Sequence, residues 1–126
     1  DVARFERSPI HILDRAAIER RGAAAVGASA RERLAGADTD GYWIHVDADV
    51  LDASVMPAVD SPNGDGISFA QLRALLAALL ESPRAVGLEL TIYDPDLDPT
   101  GAHGRNLADA IVGAFADSGR FSTPPR

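Results

Sequence analysis

The chain has 126 residues, no cysteine and a formal charge of −7, which allows one domain or part of one and excludes disulfides, thiolate metal sites and cysteine nucleophiles. An acidic chain with no lysine lacks the basic surface that phosphate backbones need, so nucleic acid is not an expected partner. No apolar run is long enough to span a bilayer, and the opening Asp1-Val2-Ala3-Arg4-Phe5 lacks the basic-then-apolar order of a signal peptide. The expectation is a cytoplasmic chain with no membrane partner.

In chain order, residues 10–13 form a short apolar run between Pro9 and Asp14, which suits a buried strand. Residues 23–34 carry Val26, Ala30 and Leu34 on one stripe and end at Gly36, which predicts an amphipathic helix. Residues 42–46 read as a second strand. Residues 52–66 hold Pro57, Pro62, Asn63-Gly64 and Asp65-Gly66 and predict a long loop. Ser68 and Gln71 match a capping box, and Phe69, Leu72, Leu75, Leu76, Leu79 and Leu80 recur at helical spacing until Ser82-Pro83 stops them. Residues 85–92 predict a third strand. The Asp94-Pro95-Asp96-Leu97-Asp98-Pro99 stretch is too proline-rich for regular structure. Leu107, Ile111 and Phe115 then mark a last helix closed by Gly119. Trp43 and Phe69 are expected in the core, and His103 is expected to be exposed.

Alternation of strand and helix indicates an α/β fold with a parallel sheet, helices on its faces and ligands at the carboxyl ends of the strands. Both acidic segments fall on that rim. The first, Asp47-Ala48-Asp49-Val50-Leu51-Asp52, empties a hydrophobic strand into three carboxylates. On an extended backbone Asp47 and Asp49 leave on the same side, with His45 in phase, and two like charges held that close call for a divalent cation. A calcium loop is excluded, because Leu51 and Ala58 stand where oxygen donors are required. An aspartyl phosphatase is opposed by the absence of lysine, and a nucleotide-diphosphate transferase by the absence of a phosphate cradle.

The same motif, followed by Pro57-Ala58 and Ser61-Pro62, resembles the second metal-binding motif of the ureohydrolases, the arginase, agmatinase and formimidoylglutamase enzymes. The helix beginning at Ser68 and the run Val86-Gly87-Leu88-Glu89-Leu90 leading to Asp94-Pro95 continue the likeness over roughly residues 8–116. The resemblance is to the C-terminal portion of that family. It implies a three-layer α/β/α sandwich of the arginase/deacetylase type, present in part. It also implies a site of two Mn2+ ions whose activated hydroxide cleaves a linear C–N bond of a guanidino or related small molecule. By position, Asp47 would be shared by both ions, Asp49 would bind one and Asp52 would support the loop; His45, from its strand parity with Asp47, could reach the site from below.

Two departures shape the reading. The family's other ligands, a His and an Asp-x-His-x-Asp motif, have no counterpart before Asp47, where His11 stands alone. Residues 1–126 are therefore expected to be a single partial domain, with 117–126 as a fraying tail, inactive until a missing N-terminal half or another chain completes the site. Further, Ile92 stands where arginase-like members place a substrate-holding Glu, leaving Glu89 as the nearest candidate for substrate binding. No residue is assigned a catalytic role beyond metal binding. Homo-oligomers are expected from the family, and the alternative function is a non-catalytic remnant of the fold that assembles with a partner.

Overall fold

The computed structural model describes residues 8–121. Its elements are α1 (Arg15–Arg21), α2 (Ala23–Ala35), β1 (Tyr42–Asp47), α3 (Phe69–Leu80), β2 (Ala85–Thr91) and α4 (Ala102–Asp117), with 3-10 turns at Ala48–Val50 and Pro95–Leu97. β1 and β2 pair in parallel, with Trp43 opposite Gly87, His45 opposite Glu89 and Asp47 opposite Thr91. The crossover between them carries α3, as a parallel pair requires.

Helix α3 starts where the sequence places it. The Ser68 hydroxyl accepts from the Gln71 amide, and the Gln71 side chain accepts from the Ser68 amide. Its buried residues Leu72, Leu76 and Leu79 meet Ile44 and Val46 of β1, Val26 of α2, and Leu107 and Ala114 of α4 in one core. Each such aliphatic side chain contributes about 1.5–3 kcal/mol of burial. Gly27 lets α2 close on α3: a Cβ there would stand 2.7 Å from the Leu75 carbonyl oxygen. Arg73 on α3 grips Asp117 on α4 through two hydrogen bonds of 2.6 and 2.8 Å. Beyond α4, Arg120 donates to the carbonyls of Ser82 and Ala85, and Phe121 packs edge-on against Phe115. Residues 122–126 of the expected fraying tail lie outside the described residues.

The helices gather on one face of the sheet. Along β1, Tyr42, Ile44 and Val46 are buried while Trp43 and His45 are exposed. The described residues thus form the sheet and one helical layer of an α/β fold. Trp43, expected in the core, is 60% exposed. Its indole lies across Gly87, where an added Cβ would sit 2.1 Å from the ring. Phe69 is partly buried against the core.

The strand expected at residues 10–13 does not form. Ile10 and Ile12 are more than half exposed and no strand pairs with them, and an apolar run without a ladder partner has no backbone hydrogen bonds to hold it. Asp14 instead caps α1, accepting from the Ala17 amide, a helix too short to show a periodic signal. Among the described residues no helix is long and apolar enough to cross a membrane.

Candidate metal centre at the mouth of the sheet

β1 ends at Asp47, and the chain turns at once into the Ala48–Val50 3-10 turn. Strand alternation therefore does not continue to Asp49. The two carboxylates converge because the tight turn brings Asp49 back over the strand end. Ala48, fully buried between them, anchors that turn. Asp47 keeps one oxygen, Oδ1, buried without a hydrogen-bond partner. Partial burial raises the Asp49 carboxyl above its ordinary value, and the charge of Asp47, a hydrogen bond shared with it and the charge of Asp60 raise it further. An orphaned oxygen beside a carboxyl that resists ionisation is a site short of positive charge.

The loop behind the pair is rigid despite its turn-forming composition. Leu51, Met56 and Ala58 are completely buried, and Val59 nearly so. The Asp52 amide donates to Ile67, the Ile67 amide to Val50, and the Ala53 amide to Asn63. Gly66 makes this crossing possible, since a Cβ there would lie 2.2 Å from the Asp52 nitrogen. Asp52 turns away from the pair: its Oδ1 accepts from the amide and hydroxyl of Ser54, which draw its carboxyl below the usual range.

The second acidic segment lies against the loop that follows the first. The Asp94 amide donates to Ala58, Val59 bridges Tyr93, and His103 donates to the Val55 carbonyl at 3.2 Å. His103, expected to be exposed, is thereby half-buried and bonded. Asp94 caps the Pro95–Leu97 turn by accepting from Asp96. Asp98 is 5% exposed and accepts from the Tyr93 hydroxyl and the Gly104 amide. Burial pushes the Asp98 carboxyl up, but those donors and the His103 amide bring it below its ordinary value.

His45 and Glu89 meet across the ladder on the exposed face, Nδ1 to Oε1 at 2.8 Å, with Thr91 Oγ1 at 3.4 Å from Nε2. His45 is in phase with Asp47 along β1, one step below it, and Glu89 is occupied by His45. A cavity of about 420 Å³ runs along β1, lined by His45, Asp47, Asp49, Arg15 and Asn63 together with Ile44, Leu72 and Leu76.

A family model described as the arginase family matches residues 1–116. The chain belongs to the arginase family. It is 36% identical over 73 residues to a formimidoylglutamase of Chromobacterium violaceum, a match covering 58% of this chain and 23% of that protein. In structure it is similar to the formimidoylglutamase of Bacillus subtilis, with a TM-score of 0.81 at 23% identity over 92% of this chain and 36% of that one. It is also similar to the formiminoglutamase of Trypanosoma cruzi solved with Mn2+, with a TM-score of 0.66 at 18% identity over 86% of this chain and 34% of that one. These structural likenesses establish the arginase fold, and the chain spans about a quarter of its curated relative and about a third of the solved ones.

For an arginase-family chain the fit of a metal can be tested on the site itself. Two carboxylates, one with a buried orphan oxygen, suit a hard divalent ion. Among the described residues no group of three or more His, Asp or Glu is arranged to hold one. The arginase-family portion seen here thus offers part of a cage. Asp60, which the sequence did not single out, adds its charge to those that raise Asp49.

Proposed function

We propose that this chain is the C-terminal part of a manganese-dependent ureohydrolase-like hydrolase acting on a linear, non-peptide C–N bond of a guanidino or related small molecule. Asp47 and Asp49 hold the metal, and the carrying observation is the buried, unpartnered Asp47 oxygen beside a carboxyl that resists ionisation in an arginase-family fold. Manganese bound there supplies water acidic enough to be a nucleophile near neutral pH.

The chain's own residues do the positioning. Ala48 and the Leu51–Ile67 crossing fix the turn that presents both carboxylates, while Asp52 is held off by Ser54. His45, paired with Glu89, stands behind Asp47 as a supporting group and not as a metal ligand. Two carboxylates alone bind a divalent ion weakly, so the remaining donors come from outside residues 8–121, from an N-terminal half or a partner chain. The isolated chain is inactive, and the complete protein is a cytoplasmic homo-oligomer.

The test is a manganese titration by calorimetry, followed by assays of urea or ammonia release from arginine, agmatine and N-formimidoyl-glutamate. The expected result is weak Mn2+ uptake without turnover by the chain alone. Robust turnover would refute the incompleteness, and an absence of Mn2+ uptake would refute the site.

A further inference from the structure

The pair Asn63-Gly64, on the loop that follows β1, has no part in the hydrolase reading. Asn63 is exposed to solvent and lines the same cavity as Asp47 and Asp49. Two backbone amides act on it. Asn63 bridges Asp52, and the Ala53 amide donates to the Asn63 carbonyl at 2.8 Å. The Asp65 amide donates to the side-chain oxygen of Asn63, Oδ1, at 3.0 Å. The Gly64 amide, by contrast, makes no hydrogen bond among the described residues, and a Cβ at Gly64 would meet nothing within 4 Å.

Each of these features favours one reaction, attack of the Gly64 nitrogen on the Asn63 side chain. The nitrogen must first lose its proton, and the negative charge so formed spreads onto the Asn63 carbonyl oxygen, where the Ala53 amide stabilises it. The attack drives charge onto Oδ1, and the Asp65 amide is already aimed at that oxygen. Nitrogen and Cγ belong to adjacent residues, so ring closure has the advantage of proximity. Glycine at 64 has no side chain to hinder the approach. The neighbouring pair Asp65-Gly66 lacks these features. Gly66 is wedged against the Asp52 backbone, its amide donates to the Asp52 carboxylate, and the Asp65 carboxylate is engaged by Arg15 at 3.2 Å. Asn106, the other asparagine, lies inside α4 and is followed by the bulky Leu107.

We propose that Asn63 is a self-modifying residue, its side-chain amide closing onto Gly64 and then opening to a carboxylate at the cavity wall. In the first step the bond between the Gly64 nitrogen and Cγ forms, the Cγ–Nδ2 bond breaks, and Nδ2 leaves as ammonia with a proton that replaces the one Gly64 gave to solvent. One water then opens the five-membered imide. Attack at Cγ restores the ordinary backbone as aspartate, and attack at the Asn63 backbone carbonyl leaves the chain running through the side chain as isoaspartate. Water enters and ammonia leaves, with no oxidant or metal required. Either product adds one negative charge at a residue that shares its cavity with Asp47 and Asp49. Isoaspartate also lengthens the main chain by a methylene where Asn63 pairs with Asp52. Nothing in the reaction depends on a bound ion, so the inference stands apart from the metal reading.

The test holds the folded chain at mildly alkaline pH and follows it by intact mass and peptide mapping. The same chain unfolded in urea and the Gly64→Ala variant run beside it, with a thermal melt to check that the variant keeps the fold. The expected result is a mass gain matching exchange of NH2 for OH, located at residue 63 with Asn106 unchanged, an equal release of ammonia, and isoaspartate detected by enzymatic methylation. The folded chain should convert within about threefold of the unfolded one, and Gly64→Ala should convert about tenfold more slowly or less. Conversion of the unfolded chain alone overturns the inference, because the fold then protects Asn63. Conversion of Gly64→Ala at the wild-type rate, a mass gain that maps to Asn106, or both asparagines remaining intact overturns it as well.

Discussion

Replacing Asp47 with Asn should stabilise the metal-free chain and abolish its response to manganese. The substitution keeps the side-chain shape, removes one of two facing charges and gives Asp49 an amide donor in place of a repelling carboxylate. Two unit charges about 4 Å apart in a water-like medium repel by about 1 kcal/mol, and solvent reaches Asp49, so the gain stays near that lower value. In a domain of this size about 1 kcal/mol moves the melting midpoint by roughly 3–6 °C.

Because Asp49 is raised in the folded state, the folded chain holds that proton more tightly than the unfolded one does. The contribution of Asp49 to wild-type stability is therefore greatest below the unfolded carboxyl value and is lost as pH rises through the folded value. The difference between variant and wild type should vanish below about pH 4 and be complete at neutral pH. Manganese at one hundred times its dissociation constant should add about 2.7 kcal/mol to the wild type and nothing to the variant. Thermal melts followed by circular dichroism at both pH values, with and without Mn2+, read all of this. An apo variant that melts below wild type at pH 7, or one that keeps the manganese shift, refutes the reasoning.

Gly66→Ala should lower stability in urea by about 1–3 kcal/mol, because its Cβ would meet the backbone of Leu51 and Asp52, whereas Gly64→Ala, with nothing within 4 Å, should stay within about 0.5 kcal/mol of wild type. Ile92→Gly should raise the urea midpoint by the equivalent of about 1 kcal/mol as the left-handed strain is relieved; a lower midpoint would show that Ile92 packs more than it strains. Asp98 is held below its ordinary value, so its contribution is present above the unfolded carboxyl value and lost as pH falls through the folded one. Asp98→Asn should therefore flatten the acid limb of the stability profile below about pH 4 and lower stability at pH 7, both measured by thermal melts.

The start of helix α3 was legible to the residue, because a capping box is a local signal that needs only four positions. Strand β1 and helix α2 were legible to within a residue at their ends. The failures share a cause in long-range contact. Residues 10–13 have the composition of a strand, but no ladder partner is present, and composition does not report a missing partner. Trp43 looks like core until the helices are seen to share one face of the sheet. The convergence of Asp47 and Asp49 was expected for the wrong reason. Alternation along a strand predicts it, but a 3-10 turn that begins at Ala48 delivers it.

The strand ends gather several costs at one place. Elsewhere most polar groups are matched, Ser68 with Gln71, Arg73 with Asp117 and Arg120 with the carbonyls that follow α3, although Arg84 Nε and one oxygen of Asp98 are also buried without a partner. Where β1 and β2 end, the same chain tolerates a buried oxygen without a partner, a carboxyl raised by its neighbours and a left-handed isoleucine. A sequence selected for stability alone would lose these features readily, since Asn at 47 or Gly at 92 removes a cost at once. On the proposed metal-site reading, a cation brought to this rim would offset the first two of these costs, whereas the left-handed step at Ile92 is backbone strain that charge does not relieve.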